Sequence, residues 1–166
     1  MQNHLFDRLM EAGAPQGLRL FGSRAQNWLR LEKGYRAFGS DLGRDASPLE
    51  SGLDRFVDRA KDFRGRAAME ARGVRARAVT VLMDGPEDAD PWGREALHHG
   101  GRVVGRLTSG GWSVAFGRRI GIGCVPPDLA APGTRLEVRI MGALHPAEVV
   151  PDCPYDPDNA RLRADG

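Results

Sequence analysis

Arg77-Ala78-Val79-Thr80-Val81-Leu82-Met83 is the stretch on which the fold turns. Before it, apolar residues recur every three or four positions. From Arg77 onward the period is two, in a run rich in β-branched residues, and Asp84-Gly85-Pro86 closes it as a turn. Downstream come Glu95-Ala96-Leu97-His98, a His99-Gly100-Gly101 turn, and strand-like runs at 102–108, 113–116, 119–125, 134–141 and 147–150. Pro132-Gly133 and Met141-Gly142-Ala143 bound one hairpin arm. Short strands at near-regular spacing with Gly/Pro turns predict a small antiparallel barrel over residues 76–150.

Upstream, Leu5, Phe6, Leu9 and Met10 lie at helical spacing, and Gly13-Ala14-Pro15 stops that helix. Leu18, Leu20, Phe21, Ala25, Trp28, Leu29 and Leu31 predict a second helix reaching Glu32. Ser47-Pro48-Leu49-Glu50 has the residues of a capping box, with proline at the first helical position. The run 62–69 reads as a turn entering a helix that ends near Gly73. The fold class expected is α+β: a helical and mixed segment, 1–75, packed on the barrel, with 151–166 as a surface tail.

The chain has 166 residues, 41% hydrophobic and 28% charged, a globular composition rather than a disordered one. No apolar run approaches the roughly 20 residues of a membrane helix, so no membrane partner is expected. Met1-Gln2-Asn3-His4 followed by Asp7 and Glu11 lacks a leader pattern, and the expectation is a cytoplasmic protein. Cys124, inside an apolar run, and Cys153 have no ligand-spaced partner, which points away from metal and redox chemistry. Net charge is only +2, but Arg64, Arg66, Arg72, Arg75 and Arg77 cluster. Such a cluster is either a solvated face or a surface for RNA or an acidic partner.

Leu29-Arg30-Leu31-Glu32-Lys33-Gly34-Tyr35 is the densest polar-aromatic group. Its carboxylate is suited to the amino and ring N–H groups of a heterocycle and its phenol to stacking, or the group is a salt-bridged helix cap. Thr108-Ser109-Gly110-Gly111-Trp112 reads as a hairpin turn with a core tryptophan, or as a pocket wall closed by Trp112. Gly117, Gly121 and Gly123 lack the strand–helix context of a dinucleotide loop. No Ser/His/Asp or Cys/His arrangement offers a nucleophile, so no catalytic residue is assigned.

Gly17-Leu18-Arg19-Leu20-Phe21-Gly22, followed by 29–42, resembles the folate-binding region of the aminomethyltransferase (glycine-cleavage T protein) superfamily. The run 47–53, Lys61-Asp62-Phe63-Arg64-Gly65-Arg66, the barrel run 105–111 and the closing 154–163 continue the resemblance in order. Lys33 and the Gln26-Asn27 pair, where the T protein has a small residue and an arginine-aspartate pair, make it more similar to the C-terminal parts of dimethylglycine and sarcosine dehydrogenases. The resemblance implies a three-part architecture around a channel in which tetrahydrofolate accepts a one-carbon unit. It also implies that the family's key carboxylates lie upstream, and that the partner of this chain is an N-terminal folate-binding half or a fused flavin dehydrogenase domain. The folate site is thus shared and incomplete here, with Glu32, Tyr35 and Trp112 as the residues expected near the cofactor.

Overall fold

Alternating side chains sort themselves to the two faces of a curved sheet, and that sorting builds this molecule. A computed structural model describes residues 1–86 and 88–163; Glu87, of the acidic loop after β1, and tail residues 164–166 lie outside the described residues. Strands β1 (Arg77–Met83), β2 (Ala96–His99), β3 (Arg102–Ser113), β4 (Arg118–Val125), β5 (Arg135–Ile140) and β6 (Ala143–Val150) form a closed antiparallel barrel. Their order is β1-β4-β3-β2-β5-β6, with β6 returning to β1. This is the expected α+β arrangement of a barrel with helices against it.

Val79, Val81 and Met83 of β1 join Leu97, Leu107, Val138 and Val149 in the barrel core. Val81 is registered with Gly121 and Val79 with Gly123, so β4 carries glycine where the core is tightest. A Cβ on Gly121 would lie 3.0 Å from Met83 Cε and 3.1 Å from Leu107 Cδ2. The opposite face supplies Leu82, Ile120 and Ile122, which pack with Leu31 of the second helix in a separate cluster.

The helices are α1 (Gln2–Gly13), α2 (Ser23–Glu32), α3 (Arg66–Arg72) and a final turn, α4 (Ala160–Arg163). The second helix is shorter than its apolar pattern predicts. Gly17 is left-handed (φ 75°) and Gly22 extended (ψ 158°), so Leu18, Leu20 and Phe21 run outside the helix and are exposed. Residues 108–112 also differ from the expected turn. They continue β3, and the hairpin turns later, around Gly117 (φ 58°). The paired glycines serve close approach instead: a Cβ on Gly111 would stand 2.3 Å from Trp28 Cδ1, and one on Gly110 2.7 Å from Pro91. The helix thereby seats directly on the sheet.

Ser47 and Glu50 do make the reciprocal capping box, Ser47 N–H to Glu50 Oε2 at 2.8 Å and Glu50 N–H to Ser47 Oγ at 3.2 Å. Only one turn follows, because Gly52 is left-handed and Leu53 N–H bonds back to the Pro48 carbonyl at 2.9 Å. The tail folds back as a strap. The Asp152 carbonyl accepts from Thr80 Oγ1 at 2.9 Å, Tyr155 N–H donates to the Glu32 carbonyl at 3.2 Å, and Lys33 Nζ donates to the Asp156 carbonyl at 2.5 Å. No helix among the described residues is long and apolar enough to cross a membrane.

Candidate functional site

Two buried carboxylates fix the segment between α2 and β1 against the barrel. Asp41, whose side chain is 1% exposed, receives Arg30 Nη1 at 2.6 Å, Ala37 N–H at 2.9 Å, Thr108 Oγ1 at 2.6 Å and Ser109 Oγ at 2.7 Å. Arg30 spends its other donors on Asn27 Oδ1 (2.8 Å), the Tyr35 carbonyl (3.0 Å) and Ser109 Oγ (2.8 Å). Burial pushes the Asp41 carboxyl up. The Ala37 N–H, both hydroxyls and the Arg30 charge outweigh it and hold the group below the ordinary aspartate range. This network joins the two sequence clusters, 29–35 and 108–112, at one point.

Glu50 is the second hub. Beyond the capping box it receives Arg72 Nε and Arg75 N–H, each at 3.1 Å, and Arg75 Nε at 3.5 Å. Burial again works against ionisation, but the Ser47 and Arg75 N–H groups and the Arg72 charge bring its pKa down to about 2. Both carboxylates are therefore ionised and fully engaged at neutral pH, and neither suits a general base.

Between these hubs a cleft of about 790 Å³ opens along the seam of the helical segment and the barrel. That volume is within the usual range for small-molecule sites. Its helical side carries Asp41, Asp45 and Glu50 with Arg72 and Arg75; its barrel side carries Trp92, Arg94, Arg106, Thr108 and Cys124. Cys124, although its run is apolar, is half-buried in this wall, because β4 turns its odd-numbered residues inward and leaves Cys124 outside. No group of His, Cys, Asp and Glu among the described residues is arranged to hold a metal ion.

The residues chosen from sequence are dispersed. Glu32 is 4% exposed, and its Oε1 accepts the Ser113 hydroxyl at 2.6 Å and Ala115 N–H at 3.0 Å, tying α2 to the end of β3. Tyr35 is 50% exposed. Trp112 is half-buried, with the Arg119 guanidinium 5.6 Å from its ring centre. All three lie outside the cleft lining. Sequence reasoning passed over Asp41 and Trp92; the one sits in the resembling segment, the other in the Asp90-Pro91-Trp92-Gly93 turn, where an exposed tryptophan is the signal. Of the arginine cluster, Arg66 pairs with Glu70, Arg77 with Asp54, and Arg72 and Arg75 share Glu50, so four of its five members are engaged on three carboxylates.

This two-part layout has known counterparts. Residues 77–156 match the glycine cleavage T-protein C-terminal barrel domain, and residues 1–61 match the GCVT N-terminal domain. The chain belongs to the glycine-cleavage T protein family. Within that family it is 37% identical over 169 residues to mitochondrial dimethylglycine dehydrogenase from Rattus norvegicus, covering 98% of this chain and 20% of the relative. It is 33% identical over 155 residues to an aminomethyltransferase from Desulfitobacterium hafniense, covering 91% of this chain and 42% of the relative. The crystal structure of the glycine cleavage system aminomethyltransferase T from Bartonella henselae matches with a TM-score of 0.71 at 25% identity, over 80% of this chain and 38% of that one. The chain thus spans about a fifth of the rat dehydrogenase and under half of the aminomethyltransferases.

Proposed function

We propose that this chain is the C-terminal wall of a tetrahydrofolate-dependent one-carbon transfer site, completed by the upstream half of its folate-binding domain and joined to a flavin-dependent amine dehydrogenase. The observation that carries the proposal is the cleft itself. It lies at the seam of the two matched family segments, and it offers a flat ring and unengaged guanidinium groups beside committed carboxylates. Those groups fit a ligand that combines flat rings with carboxylates. When bound, tetrahydrofolate supplies the amine nitrogens that take up a one-carbon unit. The residues of this chain orient it and exclude water. Tyr35 approaches the ligand from the rim, while Glu32 acts indirectly by tying α2 to the end of β3 and Trp112 by packing against Arg119.

The face of α1 supports the missing half. Leu5, Phe6 and Leu9 are 60%, 48% and 57% exposed, and the helix buries none of its residues here. An amphipathic helix with an open apolar stripe is a docking face for the remainder of the same domain. Engagement of four of the five clustered arginines with carboxylates of this chain weighs against the alternative of a binding module for RNA or an acidic partner. The test is formation of methylenetetrahydrofolate from an aminomethyl donor. The chain alone should give none, and the chain joined to the upstream half should give turnover that depends on tetrahydrofolate. A joined, folded protein with no such turnover would sink the proposal.

A further inference from the structure

Trp92 stands on a loop braced by several hydrogen bonds and is nevertheless 77% exposed. Glu95 receives Trp92 N–H on Oε1 and Gly93 N–H on Oε2, each at 2.8 Å. Arg94, at φ 81°, donates its N–H to the Leu107 carbonyl at 2.7 Å, and Leu107 N–H returns to the Glu95 carbonyl at 2.8 Å. Gly93 lies so close to β3 that a Cβ would come within 2.6 Å of the Thr108 carbonyl. A left-handed arginine and a glycine pressed against a strand are a costly way to build a turn. What this turn achieves is a rigid platform that holds an indole outward, with Arg24 from α2 at 5.2 Å from its ring centre.

The platform also sits at a junction. Trp92 lines the large cleft and two smaller concavities beside it, one against α2 and one toward Met141. In the large cleft its neighbours Arg94 and Arg106 have no ion-pair partner among the described residues, unlike Arg72 and Arg75 on the opposite side. A flat ring laid on an indole and a carboxylate set against two guanidiniums are what such a wall recognises.

The geometry points to Trp92 as the stacking platform, and Arg94 and Arg106 as the carboxylate-holding pair, for the aromatic carboxylate end of the ligand. This rests on the folate reading, in which that end is the aminobenzoyl-glutamate portion. The probe is therefore p-aminobenzoylglutamate alone, titrated into the chain joined to its upstream half while tryptophan fluorescence is followed. Saturable quenching is expected, lost in Trp92→Leu and weakened about tenfold or more in Arg94→Ala/Arg106→Ala. p-Aminobenzamide, without carboxylates, should bind far more weakly than p-aminobenzoylglutamate. Absence of saturable quenching, equal quenching in Trp92→Leu, or equal binding of the uncharged analogue would overturn the inference. The two proposals fail separately. Persistent Trp92-dependent quenching in a joined protein that transfers no one-carbon unit keeps the platform and removes the one-carbon reading. Folate turnover by the joined form with an unchanged KM in Trp92→Leu and in the double arginine variant removes the platform and keeps that reading.

Discussion

Replacing Glu32 by alanine leaves the buried Ser113 hydroxyl and the Ala115 N–H without their acceptor. Each such loss costs about 1–3 kcal/mol, so Glu32→Ala should lower the urea midpoint clearly, and Glu32→Gln less. Tyr35→Ala belongs to a different class. The exposed ring should shift stability by no more than about 0.5 kcal/mol, yet weaken folate binding in the joined protein. Melts and titrations on the two variants separate a structural carboxylate from a ligand-facing phenol, and equal stability loss in both would merge them. Gly34 supplies a third case. Its φ is 66°, and a Cβ would fall 2.1 Å from the Asp152 carbonyl, so Gly34→Ala should loosen the tail strap and open the 151–163 segment to proteolysis. A protease-resistant Gly34→Ala tail would show that the strap does not depend on this approach.

At the scale of elements, the turn at Ser47–Glu50 is coupled to α3 through charge. Glu50 has its pKa lowered from 4.5 to about 2, so its contribution to stability is present above about pH 4.5 and is lost as pH falls toward 2. After allowance for the solvent around Arg72 and Arg75, that contribution is roughly 1–2 kcal/mol. Glu50→Gln should flatten the acid limb of the stability curve between those pH values, and an unchanged acid limb would assign it to other groups. The barrel was legible because alternation survives in β5 and β6, where one face is core and the other is not, and because β1 is a β-branched run buried on both faces. The extent of β3 was not legible. Gly110 and Gly111 carry turn propensity locally, and only the tertiary contacts of Pro91 and Trp28 make them strand residues. The same limit hid the site. Asp41 becomes a hub through partners at 108 and 109, a separation that no local pattern reports.

The whole molecule carries an apolar face on α1, a filled barrel and an open seam between its two family segments. On this account the seam is half of a folate site, and affinity should fall when the other half is absent. Two buried hydrogen-bond partners lost at about 1–3 kcal/mol each weaken binding by roughly one to four orders of magnitude. Calorimetric titration with tetrahydrofolate, on the chain alone and on the chain joined to its upstream half, tests this most directly. The account predicts weak or unmeasurable binding by the first and clear, stoichiometric binding by the second; equal affinity in both, or none in the joined and folded protein, would contradict it.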